Sequence, residues 1–236
     1  MSIRIHRAKD RGFADHGWLK SAFSYSFAEY FDTSRMGFGV LRVVNDDIIA
    51  PSTGFPLHPH NNMEIITIVT EGAVAHGDTM NNETVIRAGE VQRMSAGKGL
   101  MHSEYNPSDS ETLKLFQIWI RTRDKDIKPE YDQRRFDLES ERGSLVTVVS
   151  GDADDGGLVM HQDAWVHRGV FDKGQEFEYR LRRKGNGVFL MSVSGDVSVG
   201  GEILSARDEA TFTAHDVIRF RAETDADVLL MEVPDK

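Results

Sequence analysis

The amino-acid sequence predicts an all-β protein built from two similar halves. Short β-branched and aromatic runs recur between Gly and Asn turns, whereas the signals for helices are weak. The 236 residues are enough for two domains. Segments 68–78 and 192–202 share one order of apolar strand, Gly turn and alternating strand. This echo favours a tandem repeat of one β-fold.

Strand patterns follow one another closely in the first half. Segment 63–72 is an apolar, β-branched run closed by a glycine, and segment 83–97 contains two short strands broken by Ala-Gly. Segment 37–51 predicts a strand followed by an Asn-Asp-Asp turn. Segment 16–31 is compatible with either a short helix or a strand plus loop.

Segment 113–122 alternates in character and therefore predicts a strand with two different faces. Odd-numbered positions lie on one face, and Phe116, Ile118 and Ile120 lie on the other. The odd positions are Leu113, Leu115, Gln117 and Trp119.

Residues 121–144 interrupt the β pattern. The segment is charged and has few apolar residues, so it is the best candidate for a connection between the halves. The chain after it is again rich in strand patterns. We therefore expect a first domain at 1–130 and a second at 131–236.

Composition excludes several classes of function. Lys plus Arg is 28 and Asp plus Glu is 38, so the formal charge is 28 − 38 = −10, which disfavours direct binding to nucleic acid. The absence of cysteine excludes disulfides and thiolate ligands. No secretory signal and no run of membrane-spanning length is present. We expect a cytoplasmic monomer.

A His-Pro-His motif is the first indication of chemistry. His58 and His60 are two residues apart, so on a strand both imidazoles point to the same face. The proline between them suits an edge or bulged strand. One such pair is weak evidence for a metal site.

A second pair with the same spacing strengthens the case. His102 and Glu104 are also two residues apart. On adjacent antiparallel strands, the two pairs can bring three imidazoles and one carboxylate to one point. That ligand set suits a divalent first-row transition metal.

The stretches around these pairs resemble the pirin branch of the cupin family. They are GFPLHPHNNMEIITIVTEG (54–72) and AGEVQRMSAGKGLMHSEYNP (88–107). Shorter stretches at 16–32, 41–47 and 131–136 add to the likeness. It is dense in the first half of the chain and thin in the second.

The resemblance implies a bicupin, with two β-barrel (jelly-roll) cupin domains packed face to face. In pirins the metal lies in the N-terminal barrel, and its ligands carried onto this sequence are His58, His60, His102 and Glu104. Most cupins take the carboxylate from the first motif, where Glu64 stands, but pirins take it from the second. Glu64 then has a supporting or structural role. The second domain is expected to be degenerate, because RLRRK (180–184) stands where its histidine pair would fall.

The resemblance also implies a reaction. Pirin-like bacterial proteins resemble quercetinases, which cleave flavonols with dioxygen. The expectation is a metal-dependent quercetin 2,3-dioxygenase in which Glu104 also accepts the hydroxyl proton of the substrate. One divalent transition metal is expected, with iron(II) the first choice and Mn, Co, Ni, Cu and Zn as alternatives. Another enol or catechol-like compound is an alternative physiological substrate.

Pirins of higher organisms imply a different function. They are described as redox-sensing regulators, in which the oxidation state of the metal changes a surface that binds a protein partner. A third alternative is a metal-binding protein with weak, adventitious dioxygenase activity. An apolar pocket beside an open coordination position would favour the enzyme over the sensor.

Several other residues carry two interpretations each. His16 either lines the site or packs in a turn, and Asn106 either contacts the ligands or caps a turn before Pro107. His76 is expected at the surface. Four aromatic residues form either a substrate pocket or ordinary core, namely Phe23, Phe27, Phe31 and Phe38.

Overall fold

A computed structural model describes residues 2–235, and it confirms the all-β prediction. The strands of the first half are β1 (Ser2–His6), β2 (Gly12–Asp15), β3 (Leu19–Phe23), β4 (Leu41–Ile49), β5 (Gly54–His60), β6 (Met63–Glu71), β7 (Ala73–Asp78), β8 (Glu83–Arg87), β9 (Glu90–Ser95), β10 (Leu100–Tyr105), β11 (Leu113–Arg121) and β12 (Glu130–Arg135). Those of the second half are β13 (Val146–Ser150), β14 (Leu158–Val159), β15 (Trp165–Phe171), β16 (Glu176–Arg180), β17 (Asn186–Ser194), β18 (Val197–Val199), β19 (Glu202–Leu204), β20 (Glu209–Thr213), β21 (Val217–Ala222) and β22 (Ala226–Pro234). Single-turn 3₁₀ helices lie at Ala8–Asp10 and Ala153–Asp155. None of the helices in residues 2–235 has the length and apolar character needed to cross a membrane.

The two halves repeat one arrangement of strands. The first barrel pairs a large sheet, β12-β9-β6-β11-β4-β3-β2, with a small sheet, β5-β10-β7-β8. The second barrel pairs β1-β20-β17-β22-β15-β13-β14 with β16-β21-β18-β19, in the same order position by position. Gly72 and Gly195 adopt φ 75° in equivalent turns, a conformation that glycine adopts without steric cost. The predicted bicupin and its tandem repeat are confirmed.

Each large sheet takes its edge strand from outside its own barrel. β1 precedes the first barrel but pairs antiparallel with β20 of the second. β12 precedes the second barrel but pairs antiparallel with β9 of the first. The segment predicted at 121–144 as a connection therefore also contributes a strand. The division into 1–130 and 131–236 stays a prediction, and strand pairing groups Glu130–Arg135 with the first barrel.

The two large sheets pack back to back and form a core shared by both barrels. On β11, Phe116, Ile118 and Ile120 point into this core, where they meet Phe189 and Met231 of the second half. Leu113 and Leu115 of the same strand belong to a separate core inside the first barrel. The predicted alternation of segment 113–122 is confirmed.

The structure corrects one local prediction and decides another. β4 runs unbroken through Asn45, Asp46 and Asp47 and pairs with both β3 and β11, so the predicted turn is wrong. The strand tolerates these polar residues because Asn45 and Asp47 line a cavity, while Asp46 accepts a hydrogen bond at 2.6 Å from Arg207 of the second barrel. Segment 16–31 forms β3 followed by a loop.

Truncation of Phe116 tests the shared core. Phe116→Ala should lower the free energy of unfolding by about 3–5 kcal/mol, because it leaves a cavity between the sheets. Phe31→Ala is the matched control, since Phe31 is 70% exposed, and it should change the value by about 0.5 kcal/mol or less. Urea denaturation measures both. Equal midpoints for the two variants would contradict the assigned core.

Candidate metal centre

The predicted ligands lie on two neighbouring strands of the small sheet. β5 carries His58 and His60, β10 carries His102 and Glu104, and the two strands are antiparallel with His102 opposite His58. The spacing of two residues turns each pair towards one face. A register shift between His102 and Glu104 moves the carboxylate relative to the imidazoles.

Three imidazoles converge at this point. The ring centroids of His58 and His102 are 4.4 Å apart, and His60 lies 4.8 Å from His102 and 4.9 Å from His58. One nitrogen from each ring lies within 4.8 Å of the others. Burial, reinforced by the neighbouring imidazoles, lowers the pKa of His60 to about 4 and that of His102 to about 3. Both rings are therefore neutral at pH 7 and can donate a lone pair.

The hydrogen bonding of these rings fits a metal ion. His60 Nε2 and both ring nitrogens of His102 are buried and have no partner within residues 2–235. Buried polar atoms without partners are rare and costly. His58 Nδ1 lies 2.8 Å from the carbonyl oxygen of Pro56, a contact that leaves Nε2 available. Neutral imidazoles in this arrangement suit a divalent first-row metal.

Glu104 is held by neutral donors at the inner end of the cluster. Its carboxylate accepts hydrogen bonds from Gln117 Nε2 at 3.1 and 3.2 Å and from Thr67 Oγ1 at 3.3 Å. Ligand atoms of Glu104, His102 and His76 also lie within 4.8 Å of one another. His102 thus belongs to two overlapping clusters.

The surface position expected for His76 is wrong. His76 is only 3% exposed, its Nε2 lies 3.1 Å from Asp78 Oδ2, and its Nδ1 lies 3.1 Å from Gln92 Nε2. Its ring centroid is 5.3 Å from that of His102. The signal in the sequence was Val74, which has the same parity on β7 and is buried.

Glu64 forms its hydrogen bond with Ser95, which is not part of the imidazole cluster. Its buried carboxylate accepts a 2.6 Å hydrogen bond from Ser95 Oγ, and burial raises its pKa although Ser95 and Arg93 oppose the shift. His161, a residue of the second half, also acts to lower the pKa of Glu64. This carboxyl group therefore lies near the interface between the barrels. The parity that Glu64 shares with His60 in sequence is broken at a turn, where Asn62 adopts φ 46°.

A cavity of about 410 Å³ opens beside the imidazoles. This volume falls in the range of small-molecule sites. Trp119 lies 4.8 Å from the His60 ring, and Phe27 packs edge-on against Trp119 at 5.3 Å. The large aromatic residues of the lining are Trp18, Phe23, Phe27, Phe55 and Trp119.

The structure decides between the two interpretations that the sequence left open for several residues. Phe23, Phe27 and His16 line the cavity, whereas Phe31 is exposed and Phe38 packs against the core shared by the barrels. Asn106 caps a turn, because it donates to the carbonyl groups of Ile49 and Glu111 and accepts from the amide of Ser108.

A row of polar side chains crosses the large sheet beneath the cluster. Strand register aligns Asn45 with Gln117, Gln117 with Thr67, and Thr67 with Gln92, and all four are buried. Gln117 and Thr67 hold Glu104, and Gln92 contacts His76. The sequence pattern predicted the face on which Gln117 lies, but it did not predict that the four polar side chains form a row. Its signal was polar residues at interior positions of apolar strands.

The second barrel has a different interior. Its core is apolar and includes Phe171, Val188, Leu190 and Phe212. Where the histidine pair would fall, the backbone amides of Arg182 and Arg183 donate to the buried carboxylate of Glu232. Within residues 2–235, both candidate clusters of metal-ligating residues lie in the first barrel.

The fold and the cluster together define a bicupin whose first barrel holds three convergent imidazoles and a carboxylate beside an aromatic cavity. The family model described as Pirin matches residues 5–120, and the model described as Quercetinase C-terminal cupin domain matches residues 147–233. The chain belongs to the pirin family.

Similar proteins cover the chain from end to end. A protein of Escherichia coli (strain K12) named quercetin 2,3-dioxygenase is 43% identical over 232 residues, covering 98% of this chain and 99% of that protein. A pirin-like protein of Caulobacter vibrioides is 43% identical and covers 94% of this chain and 95% of its own. The crystal structure of the bacterial pirin YhhW from Escherichia coli in complex with nickel(II) is 41% identical, with TM-score 0.94 and 100% coverage of both chains.

Removal of one imidazole tests the ligand assignment. His58→Ala or His102→Ala should abolish stoichiometric metal binding, since each variant removes one of the three imidazoles whose ligand atoms converge at the site. The measurement is metal content by elemental analysis after stripping and reloading. His215→Ala, which changes a histidine of the second barrel, should keep the wild-type content. One equivalent of metal retained in either ligand variant would remove that residue from the set.

Proposed function

We propose that this chain is a metal-dependent dioxygenase that cleaves flavonols such as quercetin. One divalent transition metal, iron(II) as first choice, would be held by His58, His60, His102 and Glu104. The observation that carries the proposal is the cavity with aromatic side chains directly beside three convergent imidazoles. The printed name of the 43% identical Escherichia coli protein supports it.

The cavity is suited to a flat aromatic substrate. Trp18, Phe23, Phe27 and Phe55 offer ring faces and edges that position a planar molecule. Burial of the substrate among these rings excludes water, which strengthens the electrostatic interactions of the groups that remain. A divalent transition metal supplies Lewis-acid chemistry and, where it is redox-active, electron transfer towards dioxygen.

Glu104 is the proton acceptor in this proposal. Its carboxylate lines the cavity, and Gln117 and Thr67 hold it in one orientation. A flavonol must lose the proton of its 3-hydroxyl group before it can react as an organic anion. Glu104 would accept that proton at a carboxylate oxygen, acting as general base.

The cavity also favours catalysis over redox sensing. A sensor needs a partner-binding surface whose shape responds to the metal, whereas an enzyme needs enclosed space for a substrate at the metal. A cavity is present at the imidazoles, and its lining includes five large aromatic side chains. The enzyme is therefore the function that this geometry supports best.

Oxygen consumption with quercetin tests the proposed function. The protein is stripped and reloaded separately with Fe(II), Mn(II), Co(II), Ni(II), Cu(II) or Zn(II). We expect turnover that depends on a redox-active metal and disappears in His60→Ala. No turnover with any metal in a fully loaded site would reject the dioxygenase and favour the regulator.

Two glutamates provide a matched pair of substitutions. Glu104→Gln should lower kcat/KM by roughly 100-fold or more, the effect of losing a general base. Glu64→Gln should stay within a few-fold of wild type, because Glu64 bonds to Ser95 instead of lining the cavity. Steady-state oxygen uptake with the preferred metal measures both. Inactive Glu64→Gln with active Glu104→Gln would reverse the roles.

A further inference from the structure

A second polar group lies on another wall of the same cavity. Ser21, Asn45 and Asp47 line it from β3 and β4 of the large sheet, whereas the imidazoles project from the small sheet. Strand register places Ser21 directly opposite Asp47. Asn45 belongs to the row of polar side chains that holds Glu104. Asp47 is two residues further along β4, about 7 Å from that row. The three side chains take no part in the reaction described above.

Asn45 is poorly satisfied by the protein itself. The residue is only 3% exposed, and its Oδ1 atom is buried without a hydrogen-bond partner within residues 2–235. A buried amide normally finds partners. Asn45 lines the cavity, so a ligand there can supply the missing hydrogen bond.

Asp47 is a buried carboxyl group with spare hydrogen-bonding capacity. Ser21 Oγ donates to one of its oxygens, and this is the one side-chain hydrogen bond to Asp47 within residues 2–235. Burial, together with the charges of Asp46 and Glu104, raises the pKa of Asp47 to about 7 although Ser21 and Arg11 oppose the shift. Near neutral pH the group can therefore either donate or accept a hydrogen bond.

The second barrel shows that the fold does not require these residues. Counting along the paired strands from Gly72 and Gly195 places His167 at the position equivalent to Asn45 and Gly169 at that of Asp47. His167 is fully engaged, with Thr147 Oγ1 at 3.1 Å and Tyr179 Oη at 3.2 Å. A buried amide oxygen without a partner within residues 2–235, and a carboxyl two residues further along the strand, are thus features of the first barrel at these positions.

We propose that Asn45 and Asp47, with Ser21 holding Asp47, form a second hydroxyl-binding subsite of the cavity. Its ligand is a phenolic hydroxyl group distant from the one that Glu104 deprotonates. The subsite selects planar aromatic substrates with hydroxyl groups on more than one ring over those with a single hydroxyl group. This inference rests on the proposed function, because it takes the flavonol to occupy this cavity.

Anaerobic titration of the metal-loaded protein tests the subsite without turnover. The probes are quercetin, which carries hydroxyl groups on all its rings, and 3-hydroxyflavone, which carries only the 3-hydroxyl group. Wild type should bind quercetin roughly 10-fold or more tightly than 3-hydroxyflavone. Asn45→Leu and Asp47→Leu should reduce that ratio towards one, chiefly by weakening the binding of quercetin.

Controls separate the subsite from general damage. Ser21→Ala removes the group that holds Asp47 with a small change in volume, so it keeps the test decisive where Asp47→Leu fails to fold. Ser198→Ala is its matched control, since Ser198 is half-buried on β18 of the second barrel and its hydroxyl also donates to a carboxylate, that of Glu223. Metal content and the midpoint of thermal unfolding are measured for every variant.

The outcomes distinguish this inference from the proposed reaction. Variants that keep the wild-type ratio, a wild type without preference, or a wild type that binds neither probe would each overturn the subsite. A wild-type preference that is lost in Asn45→Leu and Ser21→Ala supports it. The same preference in a protein that consumes no oxygen with any metal would reject only the dioxygenase.

Discussion

The back-to-back packing of the two large sheets is the constraint on which the rest of this structure depends. It requires apolar side chains on one face of each central strand, and Phe116 and Ile118 meet that requirement on β11. Because side chains alternate along a strand, the other face is then fixed as the barrel interior. A slip of one residue would bury Gln117 in the shared core and turn Ile118 towards Glu104. The packing of the core therefore sets the register of the site.

The repeat shows how the same framework supports two different interiors. Strand register makes Leu190 the counterpart of Thr67 and Leu230 the counterpart of Gln117. The two leucines pack in an apolar core, whereas Thr67 and Gln117 hold Glu104. These differences lie on the interior face, whereas the opposite face of each central strand packs in the core shared by the barrels. The framework is retained, and both candidate clusters of metal-ligating residues found within residues 2–235 lie in the first barrel.

Features that depend on the spacing of residues within one strand could be predicted from the sequence. Features that depend on contacts between distant segments could not. His58 and His60 are brought together by the geometry of a single strand, and their convergence was predictable. The Asn-Asp-Asp run was misjudged as a turn, because a polar cavity wall and a turn have the same composition. Glu64 and His60 have the same parity in the sequence, but the turn at Asn62 lies between them, so parity alone does not place both side chains on one face. The exchange of β1 and β12 depends on pairing between distant segments, which local patterns do not encode.

Charge balance links the cavity to the imidazole cluster. Asp47 and Glu104 are both buried and line one cavity, and the charge of Glu104 contributes to the raised pKa of Asp47. The donors to Glu104 are the neutral groups of Gln117 and Thr67, and the imidazoles of His60 and His102 are uncharged at pH 7. A divalent cation held among these imidazoles would bring further positive charge to the cavity that both carboxyl groups line. Such a cation would favour the ionised form of Asp47, so metal binding and the ionisation of the cavity wall would favour each other.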